Sequence, residues 1–579
     1  MKSQTLILHP DFRVHNSIKN SSGTTLLFNP KDFYQVTEEL VAPFNDYIDE
    51  HSAQYSSEID WWVSSVGCRN TFQTQALLSV SYLFYLKRLL EKKVGINKII
   101  VYSPALKEAI RKNFRDATQN IEITSVGQRS AAVELLYHVV RLEKFFIEGL
   151  KRKFFCLISG PKKEFHGPIN LIDIFVFKDS FNIGEFQDKY YGEFIDKTHA
   201  QSKWVYLPTL TYQADTFANF RAMKKNRTPF LIKDDYLNFT DYIFAAGHVF
   251  RLTKLLKPFK PFFGINIDPI LQQDIYNNLT KTSLAALLDY RLCLRMHEAK
   301  ISIKVLWDWF ENQNIDKAIA MGLRAYYNDS VKIIGYAGYL PSKYAMNVFP
   351  TKEEQKAKIL PDTIAVMSMY QKESITMYNK NLQVVLAPSF RYTHLFKNSG
   401  QPRMTRNKST LIALPMLPDK SLEILNMLPA LGHTLLKDAA FLIKPHPVTK
   451  EEMTRNFLDL KLPPNFKITQ QNSHELLQEI SVIVANSSSI FFEALSYGIP
   501  GIIVASQTQI DNNLIPTTID SKIWSHCFNP EEFLAALIKY LYETENQEND
   551  LLRIGEKARG YFFTDYTTES ENTLSEILR

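Results

Sequence analysis

The sequence predicts an α/β protein with two Rossmann-like, doubly wound parallel-sheet halves facing across a cleft, the first half carrying a helical insertion. Three observations carry this. Short β-branched runs alternate with amphipathic helical stretches. At 579 residues the chain exceeds one ordinary domain. In the second half, polar and turn residues collect directly after the predicted strands, where ligands of an open parallel sheet bind. The boundary is placed near 375–382, giving an N-terminal unit of 1–378 and a C-terminal unit of 379–579.

In chain order, residues 59–63 (IDWWV) are strand-like, and 73–93 form a helix with a wide apolar face. Residues 98–102 and 121–126 are strands on either side of a helix at 106–114. In the less regular section that follows, Lys151-Arg152-Lys153 separates a helical region from a strand at 154–159. Further strands are expected at 170–177 and 203–207, and helices near 213–225 and 268–300 pack outside the sheet or form the insertion. Lys254, Lys257 and Lys260 among Leu255, Leu256 and Phe259 read as a solvated face with snorkelling lysines, or as a contact to an anionic acceptor or lipid. The βαβ rhythm returns with strands at 303–307, 332–336 and 363–367. The second half has strands at 382–386, 410–414, 440–443, 482–484 and 501–504, then a helix at 530–542 and a helical C-terminal region.

A net charge of +6 is small for this length, and without a polybasic block it argues against nucleic acid as a partner. The four cysteines lie far apart and form no metal pair, which fits reduced thiols in a cytosolic protein. No apolar run is long enough to span a bilayer, and the N-terminus lacks a signal peptide's core, so a soluble intracellular protein is expected. Peripheral contact with the cytoplasmic face of an inner membrane is compatible with this.

The chain is organised around residues 482–504. A buried strand breaks into Asn486-Ser487-Ser488-Ser489, a short helix follows, and Gly498 and Pro500 stop it before the next strand. Unpaired amides and serine hydroxyls at the start of a helix attract anions, so this stretch is expected to seat a phosphate. Glu493, one turn after Ser489, would face the same ligand, and its carboxylate suits the two hydroxyls of a ribose.

The sequence LIKPHP at 442–447, followed by ANSSSIFFEALSYGIPGI, resembles GT-B glycosyltransferases of bacterial surface polysaccharides. Within these it is similar to CMP-sugar-dependent enzymes that transfer Kdo or sialic acid to capsule, O-antigen or lipopolysaccharide. Residues 309–313 (WFENQ) and 389–395 (SFRYTHL) share that likeness, whereas over 1–300 it is faint. The resemblance implies a nucleotide-activated sugar as donor, a glycan or glycolipid as acceptor, and His446 contacting the donor phosphate beside Lys444. The alternative for His446 is a turn histidine bonded to backbone.

A base from the other half should take the acceptor's proton. Glu311 is the first choice, since crowding by Trp307, Trp309 and Phe310 would raise its pKa; Asp308 and Asp60 are the other candidates. Trp309 offers a face for sugar stacking. Arg69, Asn70 and Arg391 could hold the carboxylate of an acidic sugar. No metal ligands are spaced as a cluster in the sequence, so neither a metal nor another cofactor is expected. The rival readings are a CDP-glycerol-type polyol-phosphate or NDP-sugar transferase, a sugar-nucleotide 2-epimerase, and an inactive scaffold of a polysaccharide assembly complex. Epimerases carry Ser-Gly-Gly where this chain has Ser-Ser-Ser.

Overall fold

A computed structural model describes residues 3–19, 24–127, 131–182, 184–192, 194–199, 203–211, 213–397, 408–431, 436–486, 488–511, 515–543 and 547–578. Ser487 lies outside the described residues. The strands form three sheets, and every ladder in them is parallel.

The first sheet joins β1 (Ser3–Leu8), β2 (Thr24–Leu26), β3 (Lys98–Val101) and β4 (Glu122–Ser125) in the order β2-β1-β3-β4. The middle sheet holds β5 (Ile169–Val176), β6 (Trp204–Leu210), β7 (Ile303–Trp309), β8 (Lys332–Ala337), β9 (Thr363–Val366) and β10 (Val384–Leu386). Its order is β10-β9-β8-β7-β5-β6, so the winding reverses between β5 and β7. The third sheet contains β11 (Ser409–Ala413), β12 (Ala440–Lys444), β13 (Phe466–Ile468), β14 (Val482–Ala485), β15 (Gly501–Val504) and β16 (Trp524–Cys527). Its order β13-β12-β11-β14-β15-β16 is the doubly wound dinucleotide-fold order, with the switch between β11 and β14.

The α/β class with doubly wound parallel sheets is as expected, and a third, smaller sheet is added to the two. In this first sheet strands β3 and β4 were expected, whereas β1 and β2 were not, because β1 is a six-residue run at the very start of the chain. Three local expectations are corrected. Residues 59–63 are not a strand but the helix Ile59–Trp62, with both tryptophans fully buried. A short apolar run cannot by itself separate buried helix from buried strand. Residues 154–159 end the 29-residue helix Ala131–Ser159, because the basic triplet does not break it. Arg152 pairs with Asp215 and Lys153 donates to the Asp234 carbonyl. Finally, β10 was expected in the second half, yet it hydrogen-bonds to β9 in the middle sheet.

The final helices, Glu548–Phe562 and Thr568–Leu578, return from the third sheet to the middle one. Between them the Thr564 amide donates to the Met367 carbonyl at 2.9 Å, and its carbonyl accepts from the Ser389 amide at 2.8 Å. One core runs through both sheets, from Trp307, Tyr336 and Phe390 to Phe491, Phe492 and Phe562. The first sheet is pinned to the third through Thr508, whose hydroxyl donates to the Pro10 carbonyl at 2.9 Å and whose carbonyl accepts from the Tyr82 hydroxyl.

Candidate functional site

Polar groups gather at the carboxyl ends of the middle and third sheets. In the third sheet β12 runs out at Lys444, whose ammonium donates to the Gln471 carbonyl at 2.5 Å. Burial and the neighbouring Lys450 lower its pKa. His446 lies between two prolines and accepts from the Val448 amide through Nδ1 at 3.3 Å, capping the turn Pro447–Thr449. It is half-buried, and that burial lowers its pKa, so the imidazole is held toward the neutral form. The backbone-bonded turn histidine is therefore what the geometry contains, with Nε2 left for a ligand.

After β14, Asn486 donates to the Val504 carbonyl at 2.7 Å and so ties the ends of β14 and β15 together. The helix Ile490–Ser496 has seven residues, and Ser489 adopts helical angles at its N-cap without a side-chain cap bond. Gly498 holds φ +70° after the helix, as the sequence required, and the Leu551–Leu552 backbone approaches it too closely for a side chain.

Glu493 is buried and points to two histidines that no sequence spacing announced. Its Oε2 lies 3.0 Å from His394 Nε2 and 3.2 Å from His474 Nδ1, and the two rings meet edge to face at 4.5 Å. Burial opposes the charged form of Glu493, but the bonds from His394 and His474 outweigh it and hold the carboxyl below its ordinary pKa. The same bond raises the pKa of His474. His394 follows β10 and so comes from the middle-sheet side, whereas Glu493 and His474 belong to the third. Among the described residues these three are the group whose ligand atoms, all within 4.8 Å of one another, could also hold a metal ion. Arg391, three residues before His394, is exposed and lies over the rings of Tyr190 and Tyr392 at 5.5 and 5.8 Å.

Tyr190 connects this cluster to the middle sheet, meeting Trp309 edge to face at 4.5 Å. Beyond it is Glu311, whose Oε1 accepts from Trp309 Nε1 at 3.0 Å and whose Oε2 accepts from Gln313 at 2.5 Å. Burial raises the pKa of Glu311 against the opposing effect of those two bonds. Carboxylates crowd the β5/β7 switch point beside it. Asp173 is on β5, Asp308 on β7, and Asp316 accepts from the Glu311 and Gln313 amides at 3.0 and 2.8 Å. Burial, and then repulsion among neighbouring carboxylates, raises the pKa of Asp173 and Asp308; Asp316 is raised chiefly by burial.

Three expected site residues are corrected. Asp60 is buried against His248 Nδ1 and Arg251 Nε, each at 2.7 Å. Burial opposes its ionisation, but these bonds hold its pKa below the ordinary value, so it is a structural anion and a poor base. Arg69 is 2% exposed and serves the interface of the first and middle sheets, bonded to Glu354 at 2.5 Å and to the Met346 carbonyl at 2.9 Å. Asn70 is buried too, its side chain accepting from the Phe72 amide in a turn. Neither is placed to meet an acceptor. His394, His474, Tyr190 and Asp173 were missed, since each is distant in sequence from its partners.

No family model matches the chain, and no curated protein matches it. Solved structures do. Staphylococcus aureus MnaA with UDP is 11% identical, with 71% of this chain and 96% of that chain covered and a TM-score of 0.42. A UDP-GlcNAc 2-epimerase from Neisseria meningitidis bound to UDP-GlcNAc is 11% identical over 71% of this chain and 99% of that one, with a TM-score of 0.41. A glycosyltransferase from Rickettsia africae ESF-5 is 10% identical over 72% and 100%, with a TM-score of 0.39.

Proposed function

We propose that the protein is a glycosyltransferase that moves a sugar from a nucleotide-activated donor to a glycan or glycolipid, with a CMP-linked acidic sugar such as Kdo or sialic acid as the favoured donor. The observation that carries this reading is the charged Glu493 held by two histidines near the exposed guanidinium of Arg391, across Tyr190 from the raised-pKa carboxyl of Glu311. Residues after β10 supply the donor side. The Glu493 carboxylate would accept from ribose hydroxyls. Lys444, His446, Ser488 and Ser489 line the strand ends where the phosphate would sit, with Ser487 assigned there by sequence alone. Arg391 suits the carboxylate of an acidic sugar, because its planar fork can donate two parallel bonds.

In the reaction the acceptor hydroxyl oxygen bonds to the anomeric carbon while the bond from that carbon to the phosphate oxygen breaks. The hydroxyl proton passes to Glu311, a base whose elevated pKa brings it nearer to neutrality. The nucleotide leaves with the electron pair, its negative phosphate met by the Lys444 ammonium and by a hydrogen bond from His446 Nε2. Trp309 fixes one oxygen of Glu311 and so orients the other. The protein would act at the cytoplasmic face of the membrane where lipid-linked glycans are built.

Incubation with CMP-, UDP- and CDP-activated donors, with and without a glycan acceptor, tests this. Acceptor-dependent release of CMP is the expected result. Acceptor-independent formation of a 2-epimer would establish the epimerase instead, and release of no nucleotide from any donor would remove the enzymatic reading.

A further inference from the structure

The helix Ala131–Ser159 carries an apolar face that nothing in the described chain covers. Its opposite face is firmly seated: His138 bonds to Thr280 at 2.9 Å, Gly149 packs on the Tyr242 ring, and Cys156 enters the core. Along the outward face, Val140, Ile147 and Phe154 alternate with Leu136, Leu150 and Leu157, and these six are between 51% and 80% exposed. With Glu143 they are spaced 4-3-4-3-4-3, which is a strict heptad over three repeats. Val140, Ile147 and Phe154 take the a positions and Leu takes d except at Glu143; β-branched a with Leu d is the arrangement that favours two strands. Further exposed apolar residues, Leu135, Val139 and Ile158, widen the stripe. So much apolar surface on one helix is unusual for a monomer and is of the order that one partner of a specific dimer buries.

We infer that this face is an interface between two copies of the chain, paired as an antiparallel two-helix coiled coil. Glu143 decides both the partner and the direction. It stands in the middle of the stripe and is exposed. A carboxylate there would be driven into the acyl boundary if the face lay on a membrane. A parallel pair would set Glu143 against its own copy in one d layer, like charge on like charge. An antiparallel pair, in which a layers meet d layers, sets Glu143 beside Ile147 of the second copy. Val140 then meets Leu150, and Phe154 meets Leu136. Lys144 and Lys151 flank the seam and supply cations near both carboxylates. The pairing is isologous and therefore closes at two. It lies away from the Glu493 cluster and does not depend on the proposed activity.

Sedimentation equilibrium of the full chain at micromolar concentration tests the inference. The wild type should sediment at twice the chain mass. Ile147→Glu combined with Leu150→Glu should give a monomer with an unchanged circular-dichroism spectrum, since both side chains already face water in the monomer. Glu143→Leu should tighten the dimer at least tenfold. V140C with L150C should cross-link under oxidation, whereas V140C alone should not, and the four native cysteines are all buried. A wild type that stays monomeric overturns the inference, as does a dimer unaffected by the double substitution. A monomer that instead binds anionic vesicles through this face assigns it to a membrane. Cross-linking by V140C alone overturns the antiparallel direction.

Discussion

Glu354→Gln should cost the protein about 3 kcal/mol, and the reason lies between the first and middle sheets. Glu354 Oε1 receives Arg69 at 2.5 Å and Lys317 at 2.6 Å, and all three side chains are at most 1% exposed. Lys317 also donates to the Gly67 carbonyl, and Asn312 reaches the second carboxylate oxygen at 3.2 Å. Burial alone would favour the neutral acid. The charges of Arg69 and Lys317 prevail and hold its pKa down from 4.5 to about 2. That displacement is worth about 3 kcal/mol at neutral pH, and removing one partner of a buried ion pair costs roughly 3–5 kcal/mol. Because the folded-state pKa is depressed, the contribution is complete above the unfolded pKa and is lost as pH falls from 4.5 toward 2. Urea unfolding of wild type and variant, followed from neutral pH down to the lowest pH at which the wild type stays folded, should therefore show a gap that narrows with acidity. A variant within about 1 kcal/mol of wild type at pH 7, or a gap independent of pH, would refute the argument.

Within the proposed reaction, Glu311→Gln keeps the shape but cannot take a proton, so turnover should fall roughly 10²–10⁴-fold with donor affinity unchanged; normal turnover would move the base elsewhere. Glu493→Gln should raise the donor KM by about 10–100-fold, the worth of a hydrogen bond to a charged group, and should lower the His474 pKa read by NMR titration. An unmoved His474 would contradict the pairing seen here. His446→Ala should cut turnover by about 10²-fold while costing only about 1 kcal/mol of stability, the value of a lost cap. Activity should persist in excess EDTA, since Glu493 already has two histidine partners and Arg391 adds positive charge nearby; loss on chelation, restored by Mg²⁺ or Zn²⁺, would make His394, His474 and Glu493 metal ligands.

Four strands of the third sheet, β11, β12, β14 and β15, were readable because each is a short apolar run in a fixed phase with the helices, whereas β13 and β16 were not. Gly498 was readable for the same local reason. Strands β1 and β2 of the first sheet, the helix Ile59–Trp62 and the long helix were not. IDWWV and FFCLIS are apolar whichever element they join, and only the packing of Trp61 against Ser52, or of Cys156 into the core, decides between helix and strand. At the site, Glu311 was found because it sits two residues after a strand end, and Glu493 because it sits one turn after the serine run. Arg69 and Asp60 were misassigned because their partners, Glu354, His248 and Arg251, are some 190 to 290 residues away. Sequence gives a charge but not what neutralises it.

The middle sheet brings together more acid than one reaction needs, and burial sorts it. Asp173 and Asp308 face each other across the strands where the winding reverses, with Asp316 behind them. All three are buried, so their charged forms are opposed twice, by loss of water and by one another. Such a set holds shared protons rather than full charge. Asp316 accepts through Oδ2 from the Glu311 and Gln313 amides before a helix, and Asp173 accepts from the Thr209 hydroxyl at 3.2 Å. Glu311 alone of the group is partly open to solvent. It is also the one whose two oxygens are fixed by side chains, Trp309 and Gln313, on the approach to Tyr190 and Arg391. In the proposed reaction Glu311 is therefore the member of the group that an acceptor hydroxyl would reach.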